Sequence, residues 1–390
     1  MSWEQAPRSR RVRQWLWPGI AVVALTAVVA LVLLIRSDGP TGTLAIGPTT
    51  EPAGDASAAP SVNPSDFAPT PLDPLDGSSE DAGDGPLLND GPDVTVVIAD
   101  EQDLRSINLA TGDIRRSPVT SEIDPWTLFA VGDNVITNAG EHAVRITNPD
   151  HQRVRLARNH LALPTLDDAS VWVRAPSTGP FGNTVVRVGL DGTIRDRVVL
   201  PPIALPQTGV GASMVVWTSS GIHAVSSDGV RRITSSGMLT AISADRVAWL
   251  DCAADLTCQI VMGTHDDPDQ ARLPIAASEL PVGVFDFSLG RFSPDGRRLA
   301  FPLFRPGSGQ ARERTAIVIV DTTTGAELTR LPQQDGAFEG APLAWSPDSR
   351  WLFAAAGSRL TAWNASSGEL IELHNARSGP IRGLAVVDNP

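Results

Sequence analysis

Residues 292–301 read FSPDGRRLAF, and residues 345–354 read WSPDSRWLFA. Each is a strand, a tight turn and a second strand. Proline presets φ for the turn, and aspartate and glycine supply the polar, conformationally permissive positions after it. Weaker copies of the same punctuation occur at Gly132-Asp133-Asn134, Asp167-Asp168, 209–213 and Ala244-Asp245. Asp133 to Asp348 is 215 residues in five steps, a mean of 43.

A second turn type alternates with the first. Residues 107–112 read INLATG, 320–325 VDTTTG and 363–368 WNASSG, each with Asn or Asp four places before Gly. Asp191-Gly192 and Asp228-Gly229 stand in the corresponding places as expected type I′ hairpin turns. With Pro149-Asp150 and 266–269 there are seven such turns, again about 43 residues apart. Short β-branched runs separate them, for example 94–98, 171–174, 214–217 and 317–320, and no long stripe of period 3.6 appears. A repeat near 43 residues with four strands per unit is the length of a β-propeller blade. Residues 94–390 hold 297 residues, room for seven blades, or for six of about 50 residues each. The first turn type occurs six times and the second seven, so the opening unit lacks its innermost strand. The orphan apolar run 381–387 is expected to supply it, pairing with 94–98 and closing the ring. The expected fold class is therefore all-β, a seven-bladed β-propeller closed by its C-terminal strand.

The serine-proline-aspartate-glycine turn followed by an apolar strand resembles the pattern of the WD-repeat and TolB-like propellers. The Trp-Asp and Gly-His pairs of WD repeats are absent from these copies. The resemblance implies the fold and a tendency to bind partners, without an activity.

Three zones precede or make up the repeat. Residues 1–14 carry Arg8, Arg10, Arg11 and Arg13 and are expected to be a cytoplasmic tail. Residues 15–35 contain no charge, and 21 residues span ~31 Å as a helix, enough to cross a bilayer core. Trp15 and Trp17 sit at its start, where interfacial aromatics belong. The preceding arginines place the N-terminus inside and the remainder outside the cell membrane, as a single-pass protein. No small-x-small site follows the run, so a retained anchor is expected over a cleaved signal peptide. Residues 36–93 hold eleven acids and few large apolar residues, and read as a disordered linker.

The 31 basic residues are all Arg, and the net charge is −13, which argues against nucleic-acid partners. Cys252 and Cys258, on opposed positions of a hairpin in an oxidising compartment, are expected to form a disulfide. No His-Glu-x-x-His, Gly-x-Ser-x-Gly or Cys-rich ligand set occurs, so neither metal nor cofactor is expected. Trp172, Trp217, Trp249 and Trp351 each follow a first-type turn and are expected as wedges between sheets. Ligands of propellers meet the face bearing the loops that lead into each innermost strand and those joining second to third strands. Those loops supply Glu122, Asp124, His160, Asp335, Glu339, His374 and Arg377, and the long loop 302–315 adds Arg305, Arg312 and Arg314. The expected function is a membrane-anchored extracytoplasmic scaffold binding a protein or envelope ligand. The alternative is a propeller hydrolase or lyase using Glu122, Asp124, His160, Glu339 and His374 in the central funnel.

Overall fold

The computed structural model describes residues 62–80, 86–88, 91–119, 123–147, 151–167, 169–175, 183–235, 237–252, 258–265, 273–275, 290–306, 312–332, 342–373 and 379–389. The expected tail and span, 1–35, lie outside the described residues. Among the described residues no helix is long and apolar enough to cross a membrane.

The strands form seven antiparallel sheets. Blade 1 combines Gly383–Asp388, Val94–Ala99, Asp103–Asn108 and Ile114–Pro118, from the innermost strand outward. Blade 2 is Ile123–Val131, Asn134–Ala139, His142–Thr147 and Gln152–Ala157. Blade 3 starts at Leu161–Leu163, blade 4 at Leu205–Val210, blade 5 at Met238–Ile242, blade 6 at Arg291–Phe292 and blade 7 at Leu343–Trp345. Seven apolar clusters hold the ring, and each draws on two adjacent blades. The cluster of blades 6 and 7 contains Ile317, Trp345 and Leu352, and that of blades 7 and 1 contains Trp351, Phe353 and Val96. Six blades are thereby excluded. Trp172, Trp249 and Trp351 are fully buried between blades, and Trp217 packs against the cluster of blades 4 and 5.

Ring closure follows the expected pairing. Gly383–Asp388 lies antiparallel to Val94–Ala99, with Val96 opposite Val386 and Ile98 opposite Leu384. The inner strand feeds both neighbouring clusters: Leu384 and Val386 face blade 7, Ala385 and Val387 face blade 2. This is the period-two alternation of a strand buried on both faces.

The recurring turns work by local hydrogen bonding. Asn108, Asp321 and Asn364 each accept two backbone N–H groups through one side-chain oxygen, from residues two and three places on. Gly112, Gly325 and Gly368 then take φ of 81°, 71° and 74° and bond back to the same residue's carbonyl. In the first turn type Ser293 and Ser346 accept the N–H of Arg298 and Trp351 at 3.0 and 2.9 Å. Ser349 replaces the glycine of the first copy at φ 62°, and its hydroxyl accepts the Asp295 N–H of the adjacent blade at 2.9 Å. Asp191-Gly192 and Asp228-Gly229 are not type I′ turns: only the glycines have positive φ. At the former, Gly192 N–H closes a turn onto Gly189 and the Asp191 side chain accepts Thr193 N–H, a side-chain bond that holds Asp191 out of the left-handed region.

The expected linker boundary at 93 is displaced. Residues 62–93 include a strap over the propeller's outer edge. Asn63 caps a 3₁₀ turn, Pro64–Phe67, which buries Phe67 between blades 2 and 3. Thr70–Leu72 then adds a fifth strand to blade 2, and Ser78–Glu80 a fifth strand to blade 1. Leu75 is buried between blades 1 and 2, and Leu88 between blades 7 and 1. The segment alone is too polar to form a core, but a few of its apolar side chains settle on surfaces and strand edges that the propeller provides.

Candidate functional site

The face bearing the loops into the inner strands carries three local departures from regular blade geometry. The first is at the rim of blades 1 and 2. The pairing of Ile123–Val131 shifts between Asp124 and Phe129, so residues 125–128 bulge from the ladder. Asp124 steadies the bulge: its carboxylate accepts Trp126 N–H at 3.1 Å, and its carbonyl accepts the Thr127 and Thr137 hydroxyls, each at 3.0 Å. Trp126 is left 48% exposed. The Arg382 guanidinium lies 4.7 Å from its ring centroid and also reaches Glu101 Oε1 at 3.2 Å. Such a cation–π contact contributes about 0.5–1 kcal/mol at an exposed site. Gly383 is required here, because a Cβ would collide with the Pro125 carbonyl oxygen. Asp100 anchors the opposite lip, accepting N–H groups of Gln102 and Asp103 at 2.7 Å and of Gly379 at 2.8 Å.

The second departure is the loop between blades 3 and 4. Residues 198–206 read VLPPIALP after Val198, with Pro201, Pro202 and Pro206. Ile203 takes φ 62°, costly for a β-branched residue, and is 87% exposed. Val199 and Leu205 beside it are also exposed.

The third is the loop into blade 3. His160 donates through Nδ1 to the Arg158 carbonyl at 2.7 Å, and its ring lies 4.8 Å from that of Phe67. His142 accepts Asn159 N–H at its Nδ1, 3.2 Å away.

Of the expected site residues, Asp124 and His160 fall on this face, with no hydrogen bond or ion pair joining them. Both are engaged in holding loops. Glu122, Asp335, Glu339, His374 and Arg377 lie outside the described residues. Arg305, Arg312 and Arg314 are not in a long loop: Arg298–Pro306 and Arg312–Asp321 stay paired to their ends. Arg314 is opposite Phe304, Arg312 opposite Pro306, and Arg305 opposite Glu313. The expected loop 302–315 is thus shortened, because the strands pair past Pro302 as far as Pro306 and Arg312.

Cys252 is opposite Cys258. The ladder runs without a register shift from the His265 N–H bond to the Asp245 carbonyl, 3.1 Å. Counting alternate pairs from there makes Cys252–Cys258 a non-hydrogen-bonded pair, the kind whose Cα atoms approach to ~4.5 Å. Among the described residues no group of three or more His, Cys, Asp or Glu is arranged to hold a metal.

Sequence reasoning missed Trp126 and Ile203. The signal for Ile203 was available, since an apolar, proline-rich stretch stands where a loop must leave the sheet. Trp126 follows Pro125 in a strand, and proline inside a ladder marks a bulge.

No family model matches the chain, and no curated protein matches it. Similar solved structures include hydrazine synthase of Kuenenia stuttgartiensis, at 12% identity and TM-score 0.44, over 63% of this chain and 78% of that one. Apo AztD from Citrobacter koseri is similar at 11% identity and TM-score 0.41, over 75% and 98%. Dihydro-heme d1 dehydrogenase NirN, in complex with DHE, is similar at 12% identity and TM-score 0.44, over 93% and 85%. Likeness at this level says nothing of function.

Proposed function

We propose that the chain is a membrane-anchored, extracytoplasmic binding scaffold whose propeller meets a protein or envelope partner through the loop face. The observation that carries this reading is the pair of exposed apolar side chains, Trp126 and Ile203, each lifted out of regular blade structure on the same face. Aromatic and aliphatic anchors on a rigid frame are the usual centre of a protein-binding patch. The glutamate and arginine beside Trp126 add charges of both signs, which suit recognition by complementary potential. Asp124 and His160 serve in this reading as loop supports, which leaves the funnel-enzyme alternative without a described acid–base pair. The serine-proline-aspartate turns keep the resemblance to WD-repeat and TolB-like propellers. Residues 15–35 act as the anchor, and the 26 residues 36–61 as a tether of ~28 Å r.m.s. reach on the flexible-chain relation.

A photo-crosslinking amino acid at position 203, in intact cells, tests the reading. One at Asp133, exposed in the loop between the first and second strands of blade 2, is the control for the opposite face. The scaffold reading expects a discrete crosslinked species from position 203, lost when Trp126→Ala is added, and none from position 133. Equal crosslinking from both positions would count against a loop-face site.

A further inference from the structure

We propose that a cavity at the loop-face end of blade 2 binds a small organic anion, through Arg153, Arg155 and Arg158. The cavity measures about 730 Å³, within the range of ligand pockets. It lies between the outer strands of blade 2 and the strap. Arg153 and Arg155 are alternate residues of Gln152–Ala157 and therefore share one face of the sheet, roughly 7 Å apart. They pair with Ile146 and Val144 on one side and with Leu72 and Thr70 of the strap on the other.

The charge arrangement is the anomaly. Like charges so placed on one sheet face repel. Arg153 Nε donates to the Asp73 carbonyl at 2.7 Å, and Arg155 Nη2 to Thr70 Oγ1 at 3.2 Å. These are neutral acceptors, and no carboxylate among the described residues lies within ion-pairing distance of Arg153, Arg155 or Arg158. Arg158 is exposed at the mouth, and its guanidinium bonds to nothing among the described residues. His142 adds a donor: because Nδ1 accepts Asn159 N–H, the neutral ring carries its proton on Nε2. The carboxylates that line the cavity, Asp66, Asp73 and Glu141, belong to the strap and to the tip of the hairpin between the second and third strands. Asp73 and Glu141 are exposed, whereas Arg153 and Arg155 are half-buried. Asp66 is half-buried too and Arg158 lies at the mouth, so the two strand arginines charge the interior beside one carboxylate, Asp73 and Glu141 make an acidic part of the rim, and Leu72, Val144 and Ala139 form the apolar wall.

That pattern fits a carboxylate or phosphate held by the guanidiniums, on a body whose hydroxyl or amino groups meet the acidic rim. Guanidinium pairs with either oxyanion in the same forked geometry. The strap forms one wall, so an occupied cavity also holds the strap on blade 2. The site is separate from Trp126 and Ile203, and its failure would leave the loop-face reading untouched.

The test is calorimetric titration of the full chain in detergent, at constant ionic strength, with citrate, glucose 6-phosphate, inorganic phosphate and glucose. Citrate or glucose 6-phosphate should saturate below roughly 1 mM, an affinity of about −4 kcal/mol or better, and glucose should give no heat. Arg158→Gln, a substitution of an exposed side chain whose guanidinium has no partner among the described residues, should weaken binding at least tenfold, and Arg155→Gln likewise. Hydrogen exchange of residues 64–75 should slow on binding. Saturation by neither organic anion, or unchanged affinity in Arg158→Gln, would overturn the proposal. Inorganic phosphate binding as tightly as both organic anions would refute recognition of an organic body.

Discussion

Deleting residues 380–390 should abolish cooperative folding of the propeller. The segment contributes one strand, but its side chains enter two interfaces. Ile381, Leu384 and Val386 belong to the cluster shared with blade 7, and Ala385 and Val387 to the cluster shared with blade 2. All five are buried. At roughly 1.5–3 kcal/mol for each large aliphatic side chain, their removal costs on the order of 10 kcal/mol. The deletion also removes the strand toward which alternate residues of Val94–Ala99, namely Thr95, Val97 and Ala99, direct their N–H and C=O groups, and each one left buried and unpaired adds about 1–3 kcal/mol. A whole domain is stable by only about 5–15 kcal/mol. The deleted strand therefore accounts for as much free energy as the fold holds in reserve. Thermal unfolding followed by near-ultraviolet circular dichroism, which reports the buried tryptophans, is the assay. The expected result is loss of the sigmoidal transition. A truncated protein that melts cooperatively within a few degrees of the intact chain would refute the closure argument.

Three further outcomes are expected. His151 is buried, with Nε2 on Ser106 and Nδ1 on Ser117, and burial, with Arg115 nearby, lowers its pKa from 6.5 to about 4. The unfolded chain then binds the extra proton first, so stability is complete above pH 6.5 and falls by about 3 kcal/mol on reaching pH 4; urea midpoints at pH 7.5 and 4.5 should differ less in His151→Gln, and an unchanged difference would exclude this residue as the source. Peptide mapping without reduction should recover Cys252 and Cys258 linked to each other, and alkylation of both in the oxidised protein would rule the bond out. A cysteine introduced at Ser57 should react with a membrane-impermeant maleimide in whole cells, whereas labelling only after lysis would reverse the orientation inferred from the arginines.

The parts of the fold that could be read in the chain are those whose physics is local. Asn108, Asp321 and Asn364 announce their turns because the side chain that bonds the backbone and the glycine that completes the turn lie within five residues. The unmatched run 381–387 announced ring closure because a counted repeat left one strand over. The strap was hidden for the opposite reason. Phe67, Leu72, Leu75 and Leu88 are too sparse to organise their own segment, and their binding surface is assembled from residues as distant as Val387, 312 positions from Leu75. The cavity was hidden with it, since one of its walls is the strap. Asp124 and His160 could be assigned to the loop face, but the sequence carried no sign that both hold backbone in place. That distinction depends on the bulge at 125–128, which Pro125 marks without showing what Asp124 bonds, and on Phe67, which has no local signature.

The pairing of Val94–Ala99 with Gly383–Asp388 also sets a timetable. Thr95 bonds Asn389, 294 positions later, so the first blade stays incomplete while nearly all of the repeat is being synthesised. During that interval the run Val94-Thr95-Val96-Val97-Ile98-Ala99 has no charge and no proline, and one edge of it lacks a partner. Such a run is a template for pairing between nascent chains. The native partner must outcompete neighbouring molecules at large sequence separation, where folding is slow. Growth temperature and expression level will therefore govern the yield of soluble protein more than the stability of the closed ring does. A holding chaperone that covers residues 94–99 until the final strand arrives would raise that yield without altering the finished propeller.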